Sequence, residues 1–179
     1  MKSRVFAVLA SAALAVALVA CSPGTRANAQ AAGSAQVATH PVSGLKVIPL
    51  VVDRGGKKLT FKVELADTPE AQAKGLMFRT ELGDFEGMIF PSAVPEARAF
   101  WMKNTLIPLD MIFAGPDGVV KTVHENAVPL DETAIPGGPG IYAVLEINGG
   151  LARRMGIAPG AELRHPALDQ GQALWSCVE

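Results

Sequence analysis

The chain has 179 residues, of which 16 are Lys or Arg and 17 are Asp or Glu, for a formal net charge of −1. A balance this even, with no run of basic residues, excludes the clustered basic face that nucleic-acid binding requires. Two cysteines, Cys21 and Cys177, exclude a disulfide-stapled scaffold.

The first residues read as an export leader. Lys2 and Arg4 precede an apolar run from Val5 to Ala20, softened only by Ser11, which is short for a span of roughly 20 apolar residues. "LVAC", Leu18 to Cys21, resembles the lipobox of bacterial lipoproteins, in which the chain is cut before a cysteine that then carries lipid. Residues 1–20 are thus expected to be a lipoprotein-type signal peptide, with Cys21 lipidated and the protein held at a membrane. Ser22 after it implies the outer membrane of the envelope. Cleavage after "ANA", Ala27 to Ala29, is the alternative and would discard Cys21; on either reading Cys177 has no partner in the mature chain. Residues 21–44, rich in Ala, Gly, Ser, Gln and Pro, read as a flexible tether. Residues 45–166 have the length of a single domain, and 167–179 read as a C-terminal tail.

Within the domain, "LKVIPLVV" and "LTFKVELAD" flank the turn Asp53 to Lys57. Leu59, Phe61, Val63 and Leu65 alternate with Thr60, Lys62 and Glu64, the period of a half-buried strand, so the pair forms a hairpin. Pro49 puts the first strand at an edge or a bulge. In "DTPEAQAKG", Thr68 caps a short helix that Pro69 opens and Gly75 stops. "GMIF", Gly87 to Phe90, is a short strand closed by Pro91. "RAFWMK" and "LDMIFA" are two more strands, separated by "NTLIP", and "GPDG" turns into "VVKTVHEN". Residues 126–140, with Pro129, Pro136 and Pro139, read as a long loop. "IYAVLEIN" returns to strand, "GGLARRMG" is a two-turn helix ending at Gly156, and "AEL" is a last strand. The succession predicts a mainly β fold, a compact β-sandwich or barrel of short strands with one or two short helices.

Familiar catalytic motifs are missing: there is no G-x-S-x-G, P-loop, dinucleotide fingerprint, H-E-x-x-H or C-x-x-C. His40 falls in the tether, His165 at the domain end and His124 alone on a strand. Thioethers at Met77, Met88, Met102 and Met111 could hold Cu(I) in an exported protein, but core-type residues flank each of them and packing is the expectation. No metal and no cofactor is expected. Asp110 and Glu146 each sit in an otherwise apolar strand. A carboxylate pair across a cleft suits glycoside hydrolysis; otherwise such acids face solvent or pair with Arg79 or Arg98. In "FWMKNTLIPLDMIF", alternation puts Phe100 and Met102 on one face and Trp101 and Lys103 on the other. Trp101 beside Asn104 and Asp110 suits a small-ligand pocket. Equally, Trp101 covers a sandwich edge while Asn104 and Asp110 cap the turn between them.

"ADTPEAQAKGLMFRTEL", "EGMIF", "FWMKNTLIPLDMIF", "VLEINGG" and "GIAPGAEL", in that order, resemble the bacterial and archaeal family called domain of unknown function 192, over about Leu59 to Leu163. The resemblance implies a compact, mainly β fold and agrees with an export leader; the family's activity is unestablished, so it implies no reaction. Of the positions matching its motifs, Arg79, Trp101, Asn104, Asp110 and Glu146 can do more than pack. The expectation is a site there for a small ligand or an envelope partner. Its rivals are a hydrolase of envelope glycans acting through Asp110 and Glu146, and a structural or partner-docking lipoprotein.

Overall fold

The structure, a computed structural model, describes residues 37–168. The leader, Cys21, the first part of the expected tether and Cys177 lie outside the described residues. The elements are β1 (Val47–Asp53), β2 (Lys58–Leu65), α1 (Pro69–Lys74), β3 (Glu86–Phe100), β4 (Leu109–Ala114), β5 (Val120–Ala127), β6 (Ile135–Asn148), α2 (Leu151–Met155) and β7 (Glu162–Arg164). The strands form one curled sheet in the order β5-β4-β6-β3-β2-β1-β7. Its two edges meet: Val119 bridges Glu162, the Val120 amide donates to the Ala161 carbonyl at 2.8 Å, and the Leu163 amide to the Gly118 carbonyl at 2.8 Å. Such contacts remove the open edges that would otherwise invite pairing with another chain.

Local chemistry accounts for most boundaries. β1 and β2 pair antiparallel as the alternation predicts. Pro49 pairs with Lys62 on one side, and on the other it lies beyond β7, which reaches only Val51 to Asp53. Its missing N–H is therefore not needed. In α1 the Thr68 hydroxyl accepts from the Ala71 amide at 3.2 Å, with Pro69 at the first turn and Gly75 at the C-cap. That helix joins β2 to β3, the parallel pair of the sheet.

Two predicted boundaries are wrong in the same way. "GMIF" and "RAF" belong to one 15-residue strand, β3, and the expected loop 126–140 gives up its second half to the 14-residue β6. Pro91 does not close β3 because the β2 ladder already ends at Leu65↔Ile89, so the proline faces no partner there while its other side pairs with Ala143. Bulges between Pro91 and Ala99 carry the strand onward. In β6, Gly137 lies on the Phe113 ring, where a Cβ would fall 2.1 Å from the nearest ring carbon, so glycine is required for the strand to pass. The "RAFWMK" strand in turn stops at Phe100, leaving Trp101 outside it.

The sheet buries both faces. All seven strands contribute to the concave core, which includes Leu50, Phe61, Ile89, Ile112, Leu145 and Leu163 and which α2 covers with Leu151 and Ala152. On the convex side, Met88 and Phe90 of β3, Met111 and Phe113 of β4 and Val144 of β6 form a second core under Leu76 and Met102. This two-sided burial explains the near-continuous apolar runs of β4 and β6.

Candidate functional site

Glu146 alternates along β6 with residues of the concave core, so its side chain faces the second one. Its cross-strand partners are Met88 on β3 and Met111 on β4. The residue is only 5% exposed, and its carboxyl group meets no hydrogen-bond donor among the described residues. Burial pushes its pKa up to about 8, against a smaller opposing pull from the Arg98 charge. Arg98 gives its own hydrogen bonds elsewhere: to the Phe90 carbonyl at 2.7 Å and to Gln72 Oε1 at 3.4 Å. Its guanidinium lies 5.1 Å from the Phe100 ring centroid.

The Glu146 carboxyl group opens into a niche of about 50 Å³ walled by Phe90, Phe100, Trp101, Thr105 and the end of α1. That volume suits one small head group, given about 30 Å³ per liquid water. A groove of about 410 Å³ adjoins it, sharing Gln72, Phe100 and Trp101 with the niche. Phe100 is held edge-on between Phe90 at 5.2 Å and Phe113 at 6.1 Å. Beyond the strand end, Trp101 is 51% exposed, with Lys103 Nζ 5.3 Å from its ring centroid. The predicted alternation of the 100–103 stretch holds, since Phe100 and Met102 turn inward while Trp101 and Lys103 turn out.

Unusual backbone lies in the loops next to the niche residues Met77, Lys103 and Thr105. Phe78, Asn104 and Leu130 all adopt positive φ, at 63°, 54° and 64°. Hydrogen bonds tie them together: the Phe78 amide donates to the Asn104 carbonyl at 2.8 Å, and the Leu130 amide to the Thr105 carbonyl at 3.1 Å. Phe78 and Leu130 are nonetheless 65% and 59% exposed. A left-handed conformation costs a bulky residue about 1–2 kcal/mol, and strain of this kind gathers where a segment is held for function rather than for packing.

The expected site residues divide among three places. Trp101 and Glu146 share the niche. Asn104 does not line the niche, although its amide lies 3.8 Å from the sulfur of Met77, which does. Asp110 lies elsewhere: it pairs with Ile147 while Met111 pairs with Glu146, so the two acids point to opposite faces of the sheet. Buried completely, it accepts from the amides of Asn126 and Gly150, each at 2.8 Å, and of Ala152 at 2.7 Å. A hydrolytic Asp110 and Glu146 pair is therefore not assembled, and Asp110 does not cap the turn before it either.

Arg79 belongs to a third place. Its guanidinium binds both oxygens of buried Glu64 at 2.8 Å, with His40 Nε2 3.7 Å from the same carboxylate and the Ser43 hydroxyl donating to it. Alternation suggested a solvent-facing Glu64; the segment around His40 and Ser43 covers it instead. Met88, Met102 and Met111 are fully buried in the second core and Met77 lines the niche. The described residues contain no group of three His, Cys, Asp or Glu side chains that could hold a metal. Gln72 and Lys74, which also line the niche, were missed because a six-residue helix reads as a connector.

The family model DUF192, described as Uncharacterized ACR, matches residues 50–165. A crystal structure of a protein of unknown function from Novosphingobium aromaticivorans DSM 12444 is 55% identical, covering 73% of this chain and 93% of that one, with a TM-score of 0.70. A second, from Sinorhizobium meliloti 1021 and described as a candidate transcription regulator, is 36% identical over 69% of this chain and 97% of its own, with a TM-score of 0.67. Among curated proteins none matches the chain.

Proposed function

The chain belongs to the DUF192 family, and from that premise we propose that its domain binds a small ligand seated between Glu146 and Trp101. One observation carries the reading: the carboxyl group of Glu146, a residue only 5% exposed, lines a half-open niche and receives no hydrogen bond among the described residues. A carboxyl group this little exposed is seldom left without a hydrogen-bond partner, and a donor or acceptor delivered through the niche supplies one. The aromatic wall of Phe90, Phe100 and Trp101 suits a ligand whose body lies in the adjoining groove. Regulation of transcription is not carried over from the Sinorhizobium relative, since a net charge of −1 does not suit a DNA-binding surface.

Native mass spectrometry of the domain purified from the periplasm tests this reading. A small mass retained under native conditions and lost on denaturation is expected in the wild type. Trp101→Ala, which removes the stacking surface, should weaken its retention about tenfold. A protein that carries no such mass, and that fails to take one up from an envelope extract, contradicts the reading.

The leader directs the site to the envelope, and we propose that Cys21 anchors it there by lipid, outside the described residues. More than one acyl chain is needed for stable anchoring, at about 0.8 kcal/mol per buried methylene. Cys21→Ser is accordingly expected to move the protein from the membrane fraction to a soluble one. Unchanged fractionation would locate the anchor elsewhere or remove it.

A further inference from the structure

Resting on the ligand-site reading above, we infer that the group entering the niche is a carboxylate, received by the protonated Glu146 carboxyl as hydrogen-bond donor and held by the cations around it. The charged side chains that face the niche and its groove are Lys74 from the end of α1, Lys103 from the 101–105 segment and Arg98 from β3. From β4 the neighbour of Glu146 is Met111, which carries no charge. Glu146 aside, every charged side chain that lines the niche and groove is thus positive. Their counter-ions are weak: Glu96 lies 4.0 Å from Arg98 and Glu132 lies 3.8 Å from Lys103, both acids more than half exposed, and exposed pairs of this kind hold little. Lys74 makes no ion pair among the described residues.

An ammonium group approaching this opening meets like charge, whereas a carboxylate meets opposite charge. Inside, an acid group facing a carboxylate forms the short, charge-assisted O–H···O⁻ bond, stronger than a neutral one. Size agrees, because the niche of about 50 Å³ accepts a carboxylate head while Phe100 and Trp101 are left to cover the rest of the molecule in the groove. Burial keeps Glu146 protonated through neutral pH, with its pKa pushed up to about 8, so its donor is present where an ordinary glutamate would be ionised. Ionisation above that value removes the donor and sets two negative charges against each other.

Acetate and methylammonium, added separately at constant ionic strength to the ¹⁵N-labelled domain, distinguish the possibilities through the Trp101 indole N–H signal, assigned with Trp101→Phe. Acetate is expected to give a saturable shift at pH 6 and methylammonium none. Affinity for acetate should fall about tenfold by pH 9, following the protonated fraction of a group that titrates near 8. Glu146→Gln, whose amide donates at any pH, should bind acetate without that pH dependence, and Glu146→Leu, which cannot donate, should not bind it; thermal melts establish that both variants fold. Saturable methylammonium binding that strengthens with pH would overturn the carboxylate assignment and leave the ligand site standing. The same holds if neither probe binds while a retained mass is seen by native mass spectrometry. If neither probe binds and no mass is retained, both readings fall.

Discussion

Asp110→Ala is expected to destabilise the domain by about 3–5 kcal/mol, the loss of several charge-assisted hydrogen bonds together with the burial of their unmatched donors. Three amides from two separate segments converge on this one side chain: Asn126 at the end of β5, and Gly150 and Ala152 at the start of α2. The residue has no exposure to bulk solvent. Small domains have only about 5–15 kcal/mol in total, so the variant should populate unfolded chain at moderate urea. Asp110→Asn keeps one acceptor oxygen but turns an NH₂ toward an N–H, and should fall between, at about 2 kcal/mol. Urea titration reads both, as a lower midpoint with an unchanged slope. A loss below about 1 kcal/mol in the alanine variant would show that the three amides find other partners.

The second large effect depends on pH. Because burial raises the pKa of Glu146 from 4.5 to about 8 in the folded protein, the folded state holds a proton that the unfolded chain releases. The contribution of this group to stability is fully present below pH 4.5, declines as pH rises, and is gone above about 8. At about 1.36 kcal/mol per unit, the decline amounts to on the order of 4–5 kcal/mol. Other carboxylates titrate in part of the same range, so the informative quantity is the difference between the wild type and Glu146→Gln, which cannot ionise. The glutamine variant should gain on the wild type steadily between pH 4.5 and 8 and then run parallel to it. A difference that stays flat across that window would mean that Glu146 ionises in the folded protein like an exposed acid.

Much of the fold could be read from local pattern, because local chemistry decides it. The alternation of Leu59 to Leu65, the Thr68 cap with Pro69, and the glycine stops at Gly75 and Gly156 each act within a few residues. The parts that escaped depend on neighbours remote in sequence. Pro91 looked terminal, and it is tolerated only because β2 ends two positions earlier. The glycines of β6 looked like loop, yet Gly137 is a strand residue shaped to the Phe113 ring. For the site, residue types were informative and their grouping was not. Trp101 and Glu146 do share the niche, but only the register Met111↔Glu146 turns Asp110 away from it. Arg79 likewise met neither Asp110 nor Glu146, because Glu64 is buried beneath a segment that composition alone assigns to a tether.

Everything proposed for the niche depends on the state of one carboxyl group. Carbon-13 NMR of the Glu146 side-chain carboxyl, followed from pH 3 to 10 and assigned with Glu146→Gln, measures it directly. A midpoint close to 8, shifted further upward when a carboxylate occupies the niche, is the predicted result. A midpoint near 4.5, unmoved by added carboxylate, would contradict the account, since Glu146 would then be an ionised acid already satisfied by its surroundings.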